Sequence, residues 1–303
     1  MAVRTRAPTL GLVAPSGALP DGLIDRAAHF FARRGWQVQA GESCFARATR
    51  FAGPDELRLR DLQRFATDRR IDVVLSARGG YGLSRLIDQI DFEAIRKAGR
   101  IIVGISDFTA FNLAYLARAG GISFQGPSAG DFAAAEPDPF TVEQFFATLT
   151  SDEHRVEFAG DGPDCDVKGT LWGGNLALVT ALVGTPYLPR VRGGILFLED
   201  VNEPAYRIER MLYQLLHAGV LARCRAVMLG DFLPVPAQAT DNGFDLASAI
   251  AQLRARVDIP VLAGLPFGHV PRKATLPVGA SARLRARSGR IELSFSGHPT
   301  LRA

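Results

Sequence analysis

Between residues 10 and 125, short apolar runs alternate with amphipathic stretches of helical length, and this alternation limits the fold more than any other feature. Leu10–Ala14 reads as a buried strand ending in the turn Pro15-Ser16-Gly17, Asp21–Arg34 as a helix and Trp36–Gln39 as a second strand. Asp55–Thr67 is a partly amphipathic helix, while Val73–Ser76 and Ile101–Val103 are short buried strands. Asp107–Arg118 is apolar nearly all round, which predicts a buried helix, and Ile122–Gln125 follows as a strand. Strands separated by helical lengths imply βαβ units, hence a mostly parallel sheet with helices on both faces.

The pattern changes near Ala133–Pro139, where two prolines and few anchoring groups predict a linker. A short helix at Thr141–Leu149 is followed by more β-like sequence at His154–Phe158, Val167–Trp172 and Ile195–Leu198. Ala205–His217 carries Ile208, Met211, Leu212, Leu215 and Leu216 as a core-facing helical stripe. Ala226–Leu229, the helix Phe244–Val257, and Val261–Leu262 come next, and Ile291, Leu293 and Phe295 alternate with polar residues in the tail. The expected organisation is an N-terminal α/β domain over 1–135, a linker region over 136–165, and a smaller mixed α/β domain over 166–303.

Composition removes several function classes. With 47% hydrophobic and 22% charged residues, the 303-residue chain reads as a soluble globular protein. No apolar run reaches the roughly 18 residues a membrane-spanning helix needs. Leu10–Ala14 is too short for a secretory signal, so neither export nor a membrane partner is expected. The net charge is +4, and all basic residues except Lys97, Lys168 and Lys273 are arginines scattered among acids. A nucleic-acid surface would gather them on one element with aromatics between, so no nucleic-acid partner is expected. Cys44, Cys165 and Cys224 lie far apart, and the five histidines include no HxxxH pair. That leaves no disulfide framework and no metal motif, and predicts a reducing compartment with no cofactor.

Four places could carry chemistry. In Gly104-Ile105-Ser106-Asp107, a serine stands where a buried strand meets a buried helix. It is either a helix cap or a nucleophile lifted above the sheet edge, with the Asp107 amide facing a developing oxyanion. Arg78-Gly79-Gly80-Tyr81-Gly82 follows another buried strand and does not complete a G-x-G-x-x-G fingerprint. It is either a tight turn or the source of a second oxyanion donor, the Gly80 amide. Glu199-Asp200-Val201-Asn202-Glu203 puts acids at the end of a buried strand; helix capping suits Asp200, Asn202 or Glu203 better than Glu199. His269, in Phe267-Gly268-His269, follows a β-like run where sites of open α/β sheets gather, and His298 in the terminal tail ranks well below it.

Together and in this order, Val13–Gly17, Ala77–Gly82, Gly104–Thr109, Gln125–Pro127, Leu171–Leu176, Leu196–Glu203, Tyr206–Gly219 and Phe267–His269 resemble the LD-carboxypeptidase family of serine peptidases, which trim murein tetrapeptides. The resemblance implies a flavodoxin-like layered N-terminal domain with a mostly parallel sheet and a smaller mixed α/β C-terminal domain. It implies a Ser-Glu-His triad that falls on Ser106, Glu199 and His269, with Glu203 the rival acid, and an oxyanion site at the Gly80 and Asp107 amides. It further implies release of terminal D-alanine after diaminopimelate during cytoplasmic recycling of cell-wall peptides, and association as a homodimer. A peptidase that inactivates a peptide–nucleotide antibiotic is the competing activity within the family, and a non-catalytic ligand-binding protein the competing class. Arg78 either receives the substrate carboxylate or braces its loop; Trp172 and Asn175 are candidate pocket residues, with a core position the equal alternative for Trp172.

Overall fold

The structure is a computed structural model that describes residues 6–301, so Met1–Thr5, the start of the basic N-terminus, lie outside the described residues. Its strands are β1 (Thr9–Val13), β2 (Gln37–Ala40), β3 (Val73–Ser76), β4 (Ile101–Gly104), β5 (Ser123–Gln125), β6 (Glu153–Ala159), β7 (Cys165–Asn175), β8 (Gly194–Val201), β9 (Cys224–Leu233), β10 (Val261–Ala263), β11 (Leu276–Val278), β12 (Ser281–Arg287) and β13 (Arg290–Ser296). They form two sheets, ordered β11-β5-β4-β3-β1-β2 and β10-β9-β8-β7-β12-β13-β6.

In the first sheet β1 to β5 are all parallel, in the flavodoxin-like order β2-β1-β3-β4-β5. Every residue of β1, β3, β4 and β5 is buried, the mark of strands covered on both faces. Successive residues of β1 feed opposite cores: Leu10 and Leu12 pack with Phe31, Phe124 and Phe145, and Val13 with Phe65, Phe108 and Phe111. β2 alternates between exposed and half-buried residues, as an edge strand does.

The second sheet changes character along one strand. Cys165–Thr170 of β7 pairs antiparallel with β12 and alternates in exposure, whereas Leu171–Asn175 pairs parallel with β8 and is buried throughout. The parallel half, β7 to β10, is covered by the helix Ala205–His217, which buries Ile208, Met211, Leu212 and Leu215 as its periodicity predicts. No helix among the described residues is long and apolar enough to cross a membrane.

Two features bear on how the chain is divided. Segment 136–165, the expected linker region, contains the helix Pro139–Thr150 and the edge strand β6, where a short helix at Thr141–Leu149 and β-like sequence at His154–Phe158 were expected. The helix buries Phe145 and Leu149 against the first sheet. Pro139 opens it, a position where the missing N–H costs nothing, and the Asp138 carboxylate caps it. One of the two prolines that suggested a linker, Pro139, therefore starts a helix. Second, β11 leaves the C-terminal region to pair antiparallel with β5, so the first sheet is completed by residues from the far end of the chain.

The two sheets share a core. Phe108 and Phe111, beside the first sheet, belong to the same buried cluster as Leu171, Trp172 and Phe197 of the second. Thr109 Oγ1 accepts hydrogen bonds from Gln125 Nε2 at 2.8 Å and from the backbone of Asn175 at 3.0 Å. Gly174 is required at this seam: its φ is +141°, and a Cβ there would lie 2.6 Å from Thr109 Oγ1. A packed, hydrogen-bonded seam holds the two halves in fixed relation.

Candidate active site

Ser106 sits on the turn between β4 and the helix Thr109–Ala119 with φ +67°, in the left-handed region that a residue with a Cβ rarely adopts. Such a conformation costs on the order of 1–3 kcal/mol and persists only where its surroundings impose it. Gly79 is part of that imposition: a methyl group there would overlap Ser106 Cβ and lie 2.7 Å from its Oγ. The serine does not act as a cap. The helical turn it opens has Ile105 at its N-cap with no side-chain cap bond, and Ser106 Oγ has no hydrogen-bond partner among the described residues.

The turn is held from beneath by the buried Asp107 carboxylate, a role the sequence did not suggest. Its Oδ2 accepts from Ser16 Oγ at 2.6 Å and from the Leu83 amide at 2.9 Å, so it joins the loops after β1, β3 and β4. Burial raises its pKa, opposed by those two hydrogen bonds and by Arg58. The backbone amides of Gly80 and Asp107, the expected oxyanion donors, have no backbone acceptor among the described residues.

Ser106, Gly80 and His269 line one cleft of about 670 Å³ at the C-terminal ends of the strands, where ligands of doubly wound sheets bind. His269 is held from the second sheet: its Nδ1 lies 2.7 Å from Glu199 Oε2. Glu199 is fully buried and the ring is about one quarter exposed, an orientation that commits Nδ1 to the acid and leaves Nε2 for other partners. Glu199 stands on β8 in unbroken parallel register with Asn175 of β7, while between Leu198 and Asp200 the other neighbour, β9, carries one extra residue. The rival Glu203, just before the helix Ala205–His217, forms an ion pair with Arg207 of that helix at 2.9 Å.

Asp200 does not cap the helix Ala205–His217. Its Oδ2 accepts from the Ala177 amide at 2.9 Å, at the start of the helix Leu176–Ala181. Burial, with Glu199 beside it, pushes its carboxyl up to about 6. The N-cap of Ala205–His217 is Pro204, without a side-chain bond. His298 is buried, its Nε2 shared between the carbonyls of Thr148 and Ser151, and it takes no part in the cleft.

Arg78 lines the cleft and also donates to the Ala18 carbonyl at 2.9 Å, so it braces its loop while facing the site. Trp172 and Asn175, the other candidate pocket residues, are not in the cleft wall. Trp172 is in the core and Asn175 is 4% exposed, turned toward Glu199 and Asp200. Both lie on the continuously buried half of β7, which cannot present a side chain to solvent. Sequence reasoning missed a further charged pair in the wall, Lys273 with Asp131. Asp131 also accepts from the Ser128 amide and hydroxyl, and that Ser-x-x-Asp spacing was legible as a capping box.

Known proteins share this arrangement over nearly the whole chain. The LD-carboxypeptidase N-terminal domain family matches residues 10–126 and the LD-carboxypeptidase C-terminal domain family residues 168–284. A putative carboxypeptidase of Streptomyces coelicolor is 36% identical over 294 residues, covering 94% of this chain and 92% of that protein. The murein tetrapeptide carboxypeptidase of Pseudomonas aeruginosa is 30% identical over 287 residues, covering 91% and 92%. The crystal structure of muramoyltetrapeptide carboxypeptidase from Oxalobacter formigenes is 41% identical with a TM-score of 0.92, covering 96% and 100%. Fold and sequence agree: the chain belongs to the LD-carboxypeptidase family of serine peptidases.

Proposed function

We propose that this protein is a serine LD-carboxypeptidase that releases terminal D-alanine from murein tetrapeptides by cleaving the bond after diaminopimelate. The observation that carries the reading is a strained, unpartnered serine facing the same cleft as an imidazole held by a fully buried glutamate. In this mechanism Ser106 Oγ attacks the carbonyl carbon and His269 Nε2 takes its proton. The amides of Gly80 and Asp107 receive the oxyanion, where one donor is worth about 3 kcal/mol of barrier. As the C–N bond breaks, the imidazolium returns the proton to the leaving amine of D-alanine, and water, activated by the same ring, releases the acyl group from Ser106. Glu199 keeps the ring in the right tautomer and stabilises its cation. Arg78 receives the C-terminal carboxylate of the substrate.

The 41% identity to a muramoyltetrapeptide carboxypeptidase and the 30% identity to a murein tetrapeptide carboxypeptidase support the murein substrate over a peptide–nucleotide one. The same reading places the protein in the cytoplasm as a homodimer that recycles cell-wall peptides. Incubation with a murein tetrapeptide and with its all-L counterpart tests it. Free D-alanine from the first and no amino acid from the second is expected. Inertness toward both, with turnover of acyl-adenylate analogues, would overturn the murein assignment; saturable binding without turnover of either would make the protein a receptor.

A further inference from the structure

Asn175 ends β7 on the seam between the two sheets, and its polar groups are spent on both sides of it. Its backbone N–H donates to Thr109 Oγ1 at 3.0 Å, three residues beyond Ser106 on the helix that starts from the nucleophile turn. Its side-chain amide donates to Glu199 Oε1 at 3.2 Å and to Asp200 Oδ1 at 3.0 Å. Its Oδ1 accepts from the Leu178 amide at 3.2 Å, capping the helix Leu176–Ala181. Since His269 Nδ1 holds Glu199 Oε2, each oxygen of the buried glutamate has a donor, and Asn175 supplies the one that does not come from the imidazole. A continuous hydrogen-bonded chain thus runs from the Ser106 helix through Thr109, Asn175 and Glu199 to His269.

We infer that Asn175 is a positioning residue: it ties the helix bearing the nucleophile to the carboxylate that orients the imidazole, and so sets their alignment across the seam. This rests on the triad reading given above. The residue type follows from the chemistry. Two adjacent buried carboxylates, Glu199 and Asp200, need donors between them, and a primary amide has two N–H bonds to give. An aspartate there would add a third acid and donate nothing when ionised; an alanine would leave Glu199 Oε1 without its donor and free the carboxylate to turn.

The test compares Asn175→Ala, Thr109→Val and Thr109→Ser on a murein tetrapeptide, with turnover referred to the concentration of Ser106 that a serine-directed phosphonate can label. Asn175→Ala is expected to lower kcat roughly 10- to 100-fold, the scale of small misalignments of reacting groups, with KM within about 3-fold. Thr109→Val, nearly isosteric but without the acceptor, moves kcat in the same direction, and Thr109→Ser restores it. The double variant Asn175→Ala/Thr109→Val loses less than the product of the single losses, as coupled residues do. A normal kcat per labelled site in both Asn175→Ala and Thr109→Val, while Ser106→Ala is inactive, would overturn the inference and leave the triad standing. Thr109→Val alone decides the point if Asn175→Ala does not fold. An active Ser106→Ala would instead remove the triad reading, and this inference with it.

Discussion

Ser106 and Glu199 occupy comparable places, at or just past the C-terminal ends of the buried parallel strands β4 and β8, yet the two sheets hold them by different means. The first sheet presents its residue by backbone strain. Ser106 is forced to positive φ beside Gly79, its hydroxyl is unpartnered, and the loops around it are pinned by the Asp107 carboxylate. The second sheet presents its residue by burial. Glu199 is wholly removed from water and held by two donors, the Asn175 amide and the His269 ring. A nucleophile must be accessible, so geometry has to fix it. An orienting acid must not drift or exchange with water, so hydrogen bonds in a low-dielectric setting fix it. Each solution fails in its own way, which makes the contrast testable.

The largest effect is expected at the strained hydroxyl. Ser106→Ala should lower D-alanine release about 10⁴-fold or more, as removal of a nucleophile does. It should also melt no lower than the parent, measured by thermal unfolding of both proteins. Glu199→Gln should cost on the order of 10³- to 10⁴-fold in kcat, because an amide stabilises the wrong tautomer of the imidazole. Glu203→Gln, which loses only an ion pair with Arg207, should stay within a few-fold. A reversed ranking would assign the orienting role to Glu203. Gly79→Ala tests the strain side by steric means. Its methyl displaces Ser106, so kcat should fall roughly 10²-fold, while phosphonate labelling slows in parallel and the fold survives. Unchanged labelling would mean that the turn can relax without harm.

The smallest effect touches stability alone and lies outside the cleft. Burial lowers the pKa of both His154 and His298, so the folded state favours their neutral forms. For a histidine whose folded pKa lies below its unfolded value, the stabilising contribution is complete above the unfolded value near 6.5 and is lost as pH falls below it. Unfolding free energy should therefore decline between pH 7 and pH 5. In His298→Asn, whose amide can still donate to the Thr148 and Ser151 carbonyls, that decline should be shallower, with activity at pH 7 unchanged. Equal slopes in urea titrations of the two proteins would rule out His298 as a source.

The legible parts of the molecule were those where one local signal had one physical meaning. Val73–Ser76 and Ala205–His217 have the bounds their hydrophobic patterns predict, because an uninterrupted aliphatic run or a 3.6-residue stripe can be buried in only one way. β11 and β12 were not read. Leu276-Pro277-Val278 is three residues long with a central proline, which is tolerated because β11 lies at the edge of its sheet. In β12 the inward residues are Ala282, Leu284 and Ala286 between arginines, too weakly apolar to announce a strand. Asn175 was read as a pocket residue alongside the family resemblance, but strand pairing put it inside.

By itself, the sequence determined the parallel first sheet, the corner on which Ser106 stands, and the candidates Ser106, His269 and an acid at Glu199 or Glu203, since each depends on neighbours a few residues away or on a family pattern written along the chain. Only the tertiary structure decided that Glu199 rather than Glu203 meets the imidazole, that β11 completes the other sheet, and that Asn175 faces inward to join the two halves. Those outcomes depend on register and burial between segments far apart in sequence, and the free energy of such contacts exists only once the chain has closed on itself.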